Sequence, residues 1–158
     1  MSDKKFYIAG MGMITALGPS VVTTVAAVRA GKSAYQESRY SMSSGKPVTM
    51  AEVPAELFEN IELDLDEGEA FNEQYDHIIK MAVIAIAEAC RNKPLQQPIP
   101  MVLAMPELEL SPSIKHTLLT RNLANIYPDL INSQLTRACH SGRPAAVEAI
   151  EFAFQYLY

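Results

Sequence analysis

The sequence predicts an α/β fold, a mostly parallel sheet covered by helices, and three observations predict it. Short apolar runs bounded by Gly or Pro alternate about three times with stretches of helical length, the order that βαβ crossovers produce. The 158 residues are 49% hydrophobic, enough for one domain, 1–158, to bury a core. The final segment is apolar on nearly all sides of a helix, only Glu148, Glu151 and Gln155 forming a polar stripe, so it asks for cover between layers.

The first predicted strand is the run KFYIA, residues 5–9, which enters the glycine-rich turn GMGMITALG. Pro19 and Ser20 then open a helix, SVVTTVAAVRAG, that Gly31 closes. Residues 32–47 are polar and rich in serine, which predicts an exposed loop, and PVTMAEV predicts a short strand. Residues 54–73 carry the acidic run IELDLDEGEAFNE around Gly68 and read as a solvated surface segment.

Residues 76–91, DHIIKMAVIAIAEACR, predict a helix whose polar groups His77, Lys80, Glu88 and Arg91 share one narrow stripe, so most of it should be buried. Pro94, Pro98 and Pro100 mark a linker, and MVLAM at 101–105 is a compact apolar run typical of buried parallel strands, ended by Pro106. A surface helix is expected at 112–126 with Pro112 in its first turn, and another strand at 132–137.

Composition excludes several functions. A net charge of −5, with the 13 basic residues scattered, leaves no basic stripe for nucleic acid. No run is long enough to span a bilayer, and no secretory leader opens the chain. Cys90 and Cys139 lie far apart in such a chain, which predicts a reducing, cytoplasmic location and no disulfide. His77, His116 and His140 fall at no recurrent ligand spacing with the cysteines, so neither a metal nor any other cofactor is expected. The glycine turn matches only the first two positions of GxGxxG: Thr15 stands where the third glycine belongs, and no acidic residue ends a second strand at the usual distance. A tight turn beside a neighbouring backbone is the better reading.

Cys139 is the candidate nucleophile. It stands in LTRACHSGRPAAVEAIEFAFQYLY, between a strand-like lead-in and an apolar helix whose dipole and free amides favour a thiolate. Ser141 is placed to cap that helix, Pro144 suits its first turn, and Arg137, His140 and Arg143 supply neighbouring groups that would lower the thiol pKa. The competing reading is a small residue buried for packing. Cys90, near the end of a buried helix, reads as structural. No Cys, His and Asn or Asp triad can be assigned: His140 adjoins the cysteine, and His77 and His116 lie on predicted helices as surface histidines.

Two blocks, YIAGMGMITALGPSVVTTVAAVRAGKSAY and RACHSGRPAAVEAIEFAFQYL, resemble in order and separation the opening strand-turn-helix and the nucleophile segment of β-ketoacyl synthases, members of the thiolase-like superfamily. Between them, DHIIKMAVIAIAEAC resembles the helix before that family's third strand, while residues 35–75 show no match. The resemblance implies a thiolase-like fold, here its incomplete N-terminal half, with Cys139 as the residue that takes an acyl group from an acyl carrier protein or coenzyme A. A carbanion from a decarboxylated malonyl unit would then attack the thioester. A backbone oxyanion hole, to which the Cys139 amide would contribute, stabilises the intermediates. His140, Arg143 and Arg137 are bulkier or more charged than the family pattern. Its decarboxylating histidines, or histidine and asparagine, and its lysine belong to a second half that has no match here, so the chain is expected to be a truncated, inactive acyltransferase fragment of fatty acid or polyketide synthesis. An incomplete core predicts self-association into a homo-oligomer or unusual packing of the last helix. The alternative is a non-catalytic thiolase-like scaffold.

Overall fold

Ser20 starts the first helix. The computed structural model describes residues 5–63, 65, 73–93, 95–107 and 116–157, and in them α1 runs Val21–Arg29. The Ser20 hydroxyl accepts from the Thr23 amide at 3.1 Å, and the Thr23 hydroxyl accepts from the Ser20 amide at 3.2 Å. This is a capping box with threonine in the acid's usual place. Gly31, at φ 67°, ends the helix: its amide and that of Lys32 donate to the Val28 and Ala27 carbonyls, a closure that a left-handed residue permits.

Part of the segment expected as a loop is strand. Gln36–Ser41 (β1) pairs antiparallel with Pro47–Met50 (β2), as expected for the second of these, and Gly45 supplies the positive φ that the connecting turn needs. Most of the hairpin is exposed, which is why its composition reads as a loop. A 3₁₀ turn follows at Ala55–Leu57, and Phe58 beside it is buried. The acidic run from Ile61 to Glu73 lies largely outside the described residues.

The long helix α2 spans Glu73–Ala89, close to the predicted bounds. Among its described side chains only Tyr75 and Ile79 are fully buried; from Lys80 to Ile86 it is half-buried, less than its apolar composition predicts. The chain forms two compact units, Met1–Glu62 with Lys80–Lys93, and Leu63–Ile79 with Pro94–Tyr158.

The second unit holds β3 (Val102–Ala104), α3 (His116–Ile126), β4 (Arg137–Cys139) and α4 (Ala145–Leu157). β3 and β4 are parallel, Val102 opposite Arg137 and Ala104 opposite Cys139, with α3 as the crossover. This βαβ unit is the part of the predicted parallel sheet that forms. The molecule is α/β, but its described strands make two two-stranded sheets. α4 packs on β3 and β4. The buried side chains include Met105, Leu118, Leu119, Leu123, Ile131 and Ala145.

Three expectations are corrected. Residues 5–9 form no strand: Tyr7 and Ile8 stand in solvent, and an apolar run becomes a strand only where a neighbour pairs its backbone. The strand expected at 132–137 begins at Arg137, because the Asn132 side chain accepts from the amides of Gln134 and Leu135 and folds 132–136 into a turn. Parallel pairing nevertheless begins earlier, in the proline linker, where Ile99 bridges Ile131. The predicted surface helix α3 buries Leu118, Leu119, Asn122 and Leu123, a 3.6-residue stripe. α4, as the expectation of an incomplete core implied, is not enclosed: Val147, Ile150, Phe154 and Leu157 are exposed at a 3-4-3 spacing along one face. Among the described residues no helix is long and apolar enough to cross a membrane.

Candidate functional site

The glycine turn is consumed by packing. A Cβ on Gly10 or Gly12 would collide with the carbonyl oxygens of Ala89 and Ala85, so the loop lies directly on the α2 backbone where only hydrogen fits. Glu88 of the same helix fixes it from one side. Its carboxylate accepts the Met13 amide at 3.0 Å and the Val21 amide at 3.0 and 3.1 Å, adding charge to the N-terminus of α1. Thr15, in place of the third glycine, bonds the Thr24 hydroxyl at 3.0 Å and accepts the Leu17 amide. These glycines serve close approach between backbones, as the tight-turn reading expected.

Cys139 is the last residue of β4, at the carboxyl end of the parallel pair, where α/β sheets commonly place ligands. The Met105 amide donates to its carbonyl at 2.8 Å, and the Arg137 amide donates to Met101 at 2.9 Å. Two residues after Arg137 on the same strand, the Cys139 N–H also turns toward β3. That amide belongs to the sheet ladder and is not free for an oxyanion, which corrects the role the resemblance implied for it.

The thiol is correspondingly sheltered. Cys139 is only 5% exposed, and burial, with a smaller contribution from the Glu148 carboxylate of α4, pushes its pKa up. Neighbouring cations were expected to lower it. Arg137 instead lies over the rings of Phe152 and Tyr156 at 5.4 and 5.9 Å, and Arg143 points to solvent. The same aromatic clamp explains a charged residue at a position expected to be apolar. Tyr156 closes it by donating to the Leu135 carbonyl at 3.0 Å.

The helix entrance also differs from the sequence reading. α4 begins at Ala145, six positions after Cys139, and Pro144 precedes it, its carbonyl accepting from Glu148. Gly142 takes a left-handed φ of 66° between them, with the Glu107 side chain against it. Ser141 caps nothing: its hydroxyl is buried without a partner. The structure thus separates Cys139 from the first turn whose dipole was to activate it.

His140 directly follows β4, and its ring meets that of His116 on α3 at a centroid distance of 4.0 Å and a tilt of 57°. His116 is therefore no surface histidine. Burial, and then His140, hold its pKa below the ordinary imidazole range. The Nδ1 atoms of both rings are buried and unpartnered. Sequence reasoning missed this pair because the two residues are distant in the chain, and only the βαβ crossover brings them together. Among the described residues no group of three or more His, Cys, Asp or Glu side chains is arranged to hold a metal ion.

Cys90, half-buried at the end of α2, is a free thiol like Cys139. A polar cleft of about 460 Å³ lined by Thr120, Arg121, Asn125 and Ser133 lies along α3 and includes none of the residues above. No protein-family model, curated protein or solved structure matches the chain.

Proposed function

We propose that this chain is a β-ketoacyl synthase-like polypeptide of the thiolase-like superfamily, in which Cys139 accepts an acyl group from an acyl carrier protein or coenzyme A thioester. The observation that supports the reading is the placement of Cys139: a βαβ unit puts it at the carboxyl end of a parallel strand, followed by the alanine-rich α4. In the proposed step the Cys139 sulfur, as thiolate, attacks the thioester carbonyl. A new C–S bond forms, the donor C–S bond breaks, and the departing carrier thiolate takes up the proton that Cys139 released. Nothing is oxidised or reduced.

Condensation is not part of the proposal for this chain. His77, His116 and His140 match none of the positions that the resemblance assigns to decarboxylation. The raised thiol pKa makes loading slow at neutral pH and faster in alkali. The test is exposure of the full chain to acetyl-coenzyme A at neutral and alkaline pH, with intact mass and peptide mapping. A thioester on Cys139 that forms faster at high pH, and is absent from Cys139→Ala, supports the reading. Acylation of Cys90 with Cys139 unmodified at every pH would sink it.

A second reading, a non-catalytic thiolase-like scaffold that self-associates, is favoured by one observation: the exposed Val147, Ile150, Phe154 and Leu157 stripe of α4. Light scattering on the native chain and on Ile150→Lys separates the two, since the scaffold requires an oligomer that the substitution dissociates.

A further inference from the structure

We propose that His116, His140 and Ser141 form a binding subsite for the carboxylate of a small organic acid, separate from Cys139. Three buried polar atoms carry the inference: Nδ1 of His116, Nδ1 of His140 and Oγ of Ser141, each without a hydrogen-bond partner. Buried donors and acceptors are normally satisfied, and three left open on two adjacent residues and the tilted ring that touches one of them form a cluster rather than scattered defects. His140 and Ser141 directly follow β4 at the carboxyl end of the parallel pair, where strand topology favours a ligand, and the His116 ring lies against that of His140.

The chemistry narrows the ligand. A metal ion would need a third protein ligand; here two imidazoles meet at a 57° tilt, and no third His, Cys, Asp or Glu completes a set among the described residues. Phosphate, even as the monoanion that dominates near pH 6, brings four oxygens to a place whose three groups offer too few hydrogen bonds to satisfy them. A carboxylate suits the pair, because one imidazole can take a proton and balance its single charge while the other ring and the Ser141 hydroxyl complete its hydrogen bonds. Burial and the neighbouring ring disfavour the charged form of His116, so a bound acid brings a proton with it.

Among the described residues, the charged side chains of the surrounding elements include Glu107, lying against Gly142, exposed Arg143, Arg121 on α3, Arg137 held over Phe152 and Tyr156, and Glu148 and Glu151 on α4. Glu107 is the near competitor: its own negative charge weakens binding of the acid. Affinity therefore rises as pH falls through the imidazole range. The site owes nothing to acyl transfer and holds whether or not Cys139 accepts an acyl group.

The experiment titrates the full chain with sodium acetate near pH 6 while following the nitrogen resonances of the histidine rings, with sodium phosphate and sodium chloride at matched ionic strength as controls. Saturable shifts of His116 and His140 together, with His77 unmoved, are expected for acetate alone. His140→Gln and His116→Gln should each weaken binding at least ~10-fold, the order expected when a charge-assisted hydrogen bond is lost. Glu107→Gln should tighten it, and this exposed substitution keeps the test independent of core folding. No saturable shift by about 100 mM acetate, weaker than any affinity a hydrogen-bonded site would show, overturns the proposal. So does an equal response to chloride, which marks ionic strength alone.

Discussion

The glycine loop on α2 and the turn after β4 are built from similar residues and end in opposite states. In the first, the polar side chains are engaged: Glu88 takes the Met13 and Val21 amides, Thr15 meets Thr24, and Gly10 and Gly12 let backbone touch backbone. In the second, two imidazoles and a hydroxyl are buried with polar atoms left over, and the glycine serves a positive φ. A region whose hydrogen bonds close on themselves is structural, whereas one that leaves them open is where chemistry or binding belongs.

Substitution should break that comparison first at Gly12. Gly12→Ala places a methyl group inside a fixed backbone carbonyl, and a loss of roughly 3 kcal/mol in urea unfolding is expected, since neither partner can rotate away. Glu88→Ala removes the shared acceptor of two amides and should cost about 2 kcal/mol by the same measurement, part of it the lost charge at the N-terminus of α1. Gly142→Ala should cost only about 1 kcal/mol. Its left-handed φ is unfavourable for alanine, but the atoms it would meet belong to the flexible Glu107 side chain. A Gly142 penalty as large as that of Gly12 would show that both turns are equally rigid.

The smallest effect sharpens the account of Cys139. Alkylation followed against pH should give a midpoint above that of a free thiol, and Glu148→Gln should lower it only in part, because burial outweighs the carboxylate. The linked stability has a definite sign. A thiol whose folded pKa is raised contributes fully below the unfolded thiol pKa, and its contribution is lost as pH rises through the folded one. Alkaline unfolding curves of the native chain and Cys139→Ala should therefore diverge only in that alkaline window.

Much of the architecture is legible from local chemistry. Ser20, Gly31 and the α3 and α4 apolar patterns mark real elements, and MVLAM contains β3, because caps and periodicity act within one turn. What sequence could not show depended on distant partners. KFYIA lacks a strand to pair with, Asn132 spends its side chain on a turn, and the cations flanking Cys139 are drawn to Phe152 and Tyr156 or to solvent. The nucleophile's position was readable; its environment was not. The His116–His140 pair was invisible for the same reason, as its two residues meet only through the crossover.

The shelter around Cys139 has one more consequence. Peroxide reacts with thiolate, and a sulfur that is buried and kept protonated by its surroundings offers it almost none. The arrangement that slows Cys139 as a nucleophile should also preserve it, so that after oxidative exposure this is the cysteine still present as a thiol.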